Sequence, residues 1–211
     1  PNMDAHMIWS VDGEIIIEQG DLPAGVILCS MQEAQSAQTE MFEQVYGRQA
    51  DHKKDILVAA NTAFANDGVF LHVAKNTKLD KPIHVVHVYT EADTAVFTRN
   101  IVVAEEGSVG HMTHSFIHEA GPIHSNVVTE LKIGDNARCT WDKLQSGCDS
   151  SFHYSSEEVF QGRDAVYTQN TITIDGAWTR NDPHVRLKGS NSICHLNGAY
   201  VPTGKDLVDN H

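Results

Sequence analysis

Along the first third of the chain, apolar positions fall in two different rhythms. Residues 1–29 hold short apolar segments broken by turn signals at Asp12-Gly13 and Gly20-Asp21-Leu22-Pro23. Ser30-Met31-Gln32-Glu33 then has a capping-box pattern, which predicts a helix running to about Tyr46 and closed by Gly47. A second helix is expected over 52–65, with Ile56, Leu57, Ala60 and Phe64 on one face, ended by Asn66-Asp67-Gly68. Beyond that point the rhythm is β. The runs 69–73, 83–89 and 99–103 are rich in β-branched and aromatic residues and are bounded by polar turns.

From there the turns keep a steady beat. They centre on Gly107, Gly121, Gly134, Gly147, Gly162, Gly176, Gly189 and Gly204, and every second turn gives spacings of 27, 28 and 27 in one series and 26, 29 and 28 in the other. Turns near Asp80 and Asp93 continue the beat backwards. Such an interval predicts a mainly β solenoid with two strands per coil of about 27 residues, in which equivalent positions stack and a core forms between two sheets. The helical segment is expected to cover the first coil. One signal argues instead for an antiparallel sandwich or barrel: 166–174 and 177–187 flank Asp175-Gly176, a dipeptide suited to a type I′ hairpin. The pattern divides the chain into an N-terminal α/β segment with two helices (1–68) and a β-helix core (69–211).

Composition narrows the function. Fifteen Lys and Arg stand against 28 Asp and Glu, a net charge of −13. This disfavours nucleic acid and anionic membranes as partners. No apolar run reaches the ~18–20 residues of a membrane span, and residues 1–6 lack the layout of a signal peptide. Cys29, Cys139, Cys148 and Cys194 form no Cys-x-x-Cys. They read as reduced thiols in a cytoplasmic protein, with two bridges in a secreted one as the alternative.

Thirteen histidines invite a metal reading. The densest group is His111, His114, His118 and His124. On a strand, His114 and His118 share a face while His111 points the other way, and His84 and His87 likewise diverge. Convergence on a metal is therefore not enforced, and stacked or solvated positions are the simpler expectation. Cys194 and His195, as neighbours, also diverge. Cys148 with His153 is a weak candidate for a nucleophile and base. Cys139 and Cys194 read as core residues. The adjacent acids Glu105-Glu106 and Glu157-Glu158 read as solvated. There is no Gly-rich phosphate loop, no dinucleotide fingerprint and no nucleophile elbow. Trp9, Trp141 and Trp178 are too scattered for a polysaccharide-binding face. No residue is assigned as catalytic, cofactor-binding or metal-binding.

Several of these segments also carry a family pattern. Asn61-Thr62-Ala63-Phe64-Ala65-Asn66-Asp67-Gly68, Lys81-Pro82-Ile83-His84-Val85 and Ala104-Glu105-Glu106-Gly107-Ser108 come first. Asn126-Val127-Val128-Thr129-Glu130, Gly134-Asp135-Asn136-Ala137 and Gln161-Gly162-Arg163-Asp164-Ala165 follow. Gly176-Ala177-Trp178-Thr179-Arg180-Asn181, Asn197-Gly198-Ala199-Tyr200 and Val208-Asp209-Asn210-His211 complete the series. In order and spacing, over roughly 60–211, these resemble the SufB/SufD family. The resemblance implies a right-handed parallel β-helix and a role in the SUF system of iron–sulfur cluster assembly. It implies a scaffold subunit, not an enzyme, partnered by a SufB-like subunit and a SufC-like ATPase. Any iron–sulfur cluster would belong to the complex, with no cofactor bound by this segment. Glu119-Ala120-Gly121-Pro122 stands where SufB-like chains tend to carry a cysteine, which favours the SufD branch. The resemblance stops at His211, inside the solenoid, so a fragment is expected. Without the family's later coils, Cys/His segment and SufC-binding helices, no functional residue can be carried over. An open last coil would favour a homodimer. The rival reading is a stand-alone metal-dependent β enzyme using the histidines of 111–124.

Overall fold

The computed structural model describes residues 3–17, 20–119 and 121–211. Of the positions used above, Pro1, Asn2 and Ala120 lie outside the described residues. The chain opens with strands β1 (His6–Val11), β2 (Glu14–Ile17) and β3 (Val26–Ser30). Three short helices follow, α1 (Met31–Ala37), α2 (Thr39–Glu43) and α3 (Ile56–Phe64). Then come β4 (Val69–Val73), β5 (Ile83–Tyr89), β6 (Thr94–Ala104), β7 (Val109–His118), β8 (Ile123–Ile133) and β9 (Arg138–Ser146). The last five strands are β10 (Ser151–Gln161), β11 (Val166–Asp175), β12 (Trp178–Leu187), β13 (Ile193–Tyr200) and β14 (Leu207–Asn210).

From β4 onward, odd and even strands separate into two sheets. One runs β2-β1-β5-β7-β9-β11-β13 and the other β3-β4-β6-β8-β10-β12-β14. From β4 onward every pairing is parallel and joins a strand to the one a coil away. This is the solenoid that the turn spacing predicts. Its coils average slightly more than the expected 27 residues. Ile83 pairs with Met112 and Val109 with Arg138, each 29 residues on, whereas Phe152 pairs with Trp178, 26 residues on.

The hairpin signalled by Asp175-Gly176, which the family resemblance overrides, does not form. β11 and β12 lie in different sheets, and the dipeptide turns the corner between them. A type I′ turn needs positive φ at both central residues. Here only Gly176 has it, at 135°.

The turn beat has a structural cause at one corner of the coil. Asn76, Gly107, Asn136, Asp164 and Asn191 all adopt left-handed φ, between 57° and 68°. They stack: the Asn76 N–H donates to Glu106 O, Gly107 to Asp135 O, Asn136 to Arg163 O and Asp164 to Ser190 O, at 2.8–2.9 Å. Asn, Asp and Gly tolerate this region best. Two residues before three of them stand Gly134, Gly162 and Gly189, where backbone passes against backbone. A Cβ on Gly162 would lie 2.8 Å from Asp135 N and 3.0 Å from Gly134 C. Gly162→Ala is therefore expected to cost about 1–3 kcal/mol through overpacking. Urea unfolding of the variant checks this, and an unchanged midpoint would show that the corner can spread.

The N-terminal segment departs from expectation. Ser30 caps α1 as predicted, its Oγ accepting from Glu33 N at 3.1 Å. The first expected helix, however, is divided at Gln38, so there are three helices in place of two. They lie on the outer face of the second sheet and do not cover the end of the first coil. Met31, Ala34, Phe42 and Val45 pack on the outward side chains Phe70, Ile101 and Val103. The edges beside the first coil are closed instead by β2 and β3, which pair antiparallel with β1 and β4. In α3 the buried side is Val58 and Asn61, while Ile56 and Phe64 are exposed. The reason is polar: Asn61 Nδ2 donates to Thr98 O at 2.9 Å and Asn126 O at 3.1 Å, and Asn126 Nδ2 donates to Leu57 O at 2.9 Å.

Candidate functional site: the polar interior

Strand alternation sends one side chain in two between the sheets. In one lane of that interior the result is a dry core, built on Ile8, Leu71, Ile83, Val85, Val102, Met112, Leu131, Val159 and Tyr167. In the other lane polar residues take over coil by coil. One cross-strand row of the first sheet reads Val85, His114, Lys143, Thr171 and Gly198.

Four imidazoles form the first polar cluster. His87 Nε2 lies 3.1 Å from His114 Nδ1. Ser125 Oγ bridges His118 Nε2 at 2.8 Å and His153 Nδ1 at 2.7 Å. Aromatic faces surround them: His87 stacks on Phe116 at 4.5 Å, His114 on Trp141 at 4.3 Å and His118 on Tyr89 at 4.6 Å. Burial disfavours the charged ring. It lowers His87 to about 3 and His118 to about 4, and holds His114 and His153 well below the usual value. These are neutral packing groups at physiological pH.

The second cluster is ionic. Lys143 and Glu157 project from opposite sheets and meet inside. Lys143 Nζ lies 3.0 and 3.1 Å from the two carboxylate oxygens, 2.8 Å from Ser155 Oγ and 2.9 Å from Asn181 Oδ1. Glu157 also accepts from Ser155 Oγ at 2.7 Å and from Gln169 Nε2 at 3.0 Å. Burial pulls the Lys143 amine down, and Glu157 opposes that shift.

The sequence expectations fare unevenly here. His114 and His118 do share the inner face, and His111 does point outward, where its Nε2 meets Asp142 Oδ2 at 2.6 Å. His124 also sits on the outer face, so the group 111–124 does not converge. Among the described residues, no three His, Cys, Asp or Glu side chains are placed to hold a metal ion. His153, the base considered for Cys148, is taken up by Ser125. Cys139 is buried, its thiol pushed up to about 12, and Cys194 packs against the core while His195 is exposed. The pair Glu157-Glu158 is a correction. Both are buried, Glu157 against Lys143 and Glu158 on the outer face against Arg186 at 2.8 Å. Adjacent acids on a strand must point to opposite faces, and each face here supplies a cation. Lys143 itself was missed. Its signal was parity with Trp141, and the structure puts that face of β9 inside.

Fold and interior together define a class: a parallel two-sheet β-solenoid, strapped on one outer face by helices, whose interior ionisable groups are spent on packing. The family follows from comparison with known proteins. The family model for the SUF system FeS cluster assembly SufBD core domain matches residues 87–211, and that for the SufBD protein N-terminal region matches residues 1–85. The chain belongs to the SufBD family of iron–sulfur cluster assembly proteins. Among relatives, it is 30% identical over 186 residues to the iron–sulfur cluster assembly protein SufD of Bacillus subtilis (strain 168), covering 78% of this chain and 42% of that protein. It is 25% identical over 213 residues to the SufBD family protein ABCI9 of Arabidopsis thaliana, covering 88% and 45%. It is 27% identical to the chloroplastic protein ABCI8 of the same plant, covering 81% and 32%. The chain thus spans less than half the length of these relatives. No helix among the described residues is long and apolar enough to cross a membrane.

Proposed function

We propose that this chain is the solenoid portion of a SufD-like scaffold subunit. It would act in the cytoplasm beside a SufB-like subunit and a SufC-like ATPase. The observation that carries a scaffold role is the state of the interior. Its histidines are neutral and packed on aromatic rings or on one another, and the buried Lys143 amine is closed by a carboxylate, a hydroxyl and an amide. Groups so engaged hold a shape and present no nucleophile or base to a substrate. Resemblance to the Bacillus subtilis SufD supports the SufD branch. Cluster chemistry then belongs to the assembled complex and not to these side chains.

The test is purification of the full-length parent from its native cytosol under gentle conditions, followed by mass spectrometry of what accompanies it. Stoichiometric recovery of a SufB-like chain and a SufC-like ATPase is expected. A parent that emerges alone, carrying one tightly bound metal that is lost on replacing His114 and His118, would overturn the scaffold reading in favour of a metal enzyme.

A further inference from the structure

On a chain of net charge −13, five of the 15 Lys and Arg gather at one place. Arg48, Lys53, Lys132, Arg186 and Lys188 line two adjoining clefts of ≈ 480 and ≈ 390 Å³, between the strap at 44–53 and the ends of β8, β10 and β12. Parallel register builds the floor. Lys132 pairs with Phe160, and Phe160 with Arg186, so the three form one row across adjacent strands. The Phe160 ring carries the Arg186 guanidinium at 5.0 Å and the Lys188 ammonium at 5.5 Å. Cation–π contact of this kind holds both charges at the cleft wall.

What matters is how little of this charge is neutralised. Two carboxylates line the clefts, and each is committed to a cation outside them: Asp51 to Lys54 at 3.2 Å, Asp135 to Arg163 at 3.4 Å. Glu158 takes Arg186 at 2.8 Å. Among the described residues, Arg48, Lys53, Lys132 and Lys188 have no carboxylate oxygen within salt-bridge distance, and Arg48 donates only to the backbone oxygen of Glu43. Across the two adjoining clefts, Arg48 and Lys188 line both, Lys53 one and Lys132 the other. Lys132 acts on Glu105 only from beyond salt-bridge distance. Together they form an anion site. A single carboxylate would leave most of that charge unmatched, and a nucleic acid strand would meet repulsion from the rest of the surface. A compact, multiply charged anion fits both constraints.

We propose that this cleft binds the di- or triphosphate group of a small phosphorylated molecule, with Lys132, Lys188 and Arg48 as its charge partners. Calorimetric titration of the full chain at low ionic strength, with inorganic pyrophosphate and with ADP, tests it. Saturable binding of one equivalent of each is expected, weakening as salt is added. Equal affinities would mean that phosphate alone is read; tighter ADP would mean that the organic part also contacts the cleft. Lys132→Gln and Lys188→Gln should each weaken binding about tenfold, while Lys205→Gln, an equal charge change on a distant exposed site, should not. Absence of saturable binding at millimolar probe, as for a surface meant for an acidic protein segment, would overturn the proposal. So would equal weakening by Lys205→Gln, which would reduce the effect to diffuse attraction.

Discussion

Lowering the pH from 7 to 5 should remove roughly 3–4 kcal/mol of folding stability through His87 and His118 alone. In the unfolded chain each titrates near 6.5; in the fold burial lowers them to about 3 and about 4. Between pH 6.5 and 4 the unfolded state therefore binds protons that the native state refuses, and each such histidine shifts the balance by about 2 kcal/mol at pH 5. The stability is fully present above 6.5 and is lost as pH falls towards the folded values. His114 and His153, also held low by burial, act in the same direction. His84 and His124, part-buried and lowered for the same reason, add to the slope. Asp80 and Glu105 are held below their usual values by His6 and His72, so they titrate further down. Glu158, raised by burial, works oppositely and gains stability as it protonates. Urea unfolding at pH 7, 6 and 5 measures the slope. His87→Phe, which keeps the stack on Phe116, should flatten it by about 2 kcal/mol. A stability constant across that range would show that the imidazoles take up protons without leaving the interior.

That cluster also marks where sequence reasoning reaches its limit. Strand alternation alone put His114 and His118 on one face and His111 on the other, because the period of two is fixed by backbone geometry. The coil length was legible for a similar reason: stacked corners demand Asn, Asp or Gly at one residue and a glycine nearby, and those positions repeat in Gly134-Asp135-Asn136, Gly162-Arg163-Asp164 and Gly189-Ser190-Asn191. What parity could not say is which face is inside. Glu157 and Lys143 come from opposite sheets, and their pairing depends on the separation of those sheets, which no single strand encodes. Asp175-Gly176 gave a competing hairpin signal because a corner and a hairpin both reverse the chain locally. They differ only in whether the next strand pairs with its neighbour or with one a coil away. The helices differ in another way: Ile56 and Phe64 fall on one apolar face of α3 yet are exposed, and a polar residue, Asn61, is what the sheet requires.

Glu130→Ala should be the most damaging single substitution in the chain, because five donors converge on that carboxylate. Arg99 Nε and Nη2 reach Oε1 at 3.1 and 2.6 Å, and Gly47 N joins them at 2.7 Å. Gln49 N and Ala50 N reach Oε2 at 2.7 and 3.2 Å. Both members of the ion pair are fully buried on the outer face of the second sheet, under the strap. Arg99 also donates to Asn61 Oδ1 at 3.1 Å and lies 5.5 Å from the Tyr46 ring centroid, so one guanidinium ties α3, the strap and the sheet together. Removing Glu130 leaves a buried cation without a counter-charge and three backbone N–H groups without acceptors, a loss of about 3–5 kcal/mol. Replacing both partners, as Arg99→Met with Glu130→Met, should cost much less, since no uncompensated charge is then buried. Limited proteolysis gives a second readout. With Glu130 gone, the segment 44–55 should become the first site of cleavage, because its backbone is held to the sheet mainly through that carboxylate. If Glu130→Ala loses under about 1 kcal/mol and the strap stays protected, the apolar contacts of Phe42 and Val45 are sufficient to hold it. In that case the wall of the cationic cleft stands independently of the clamp.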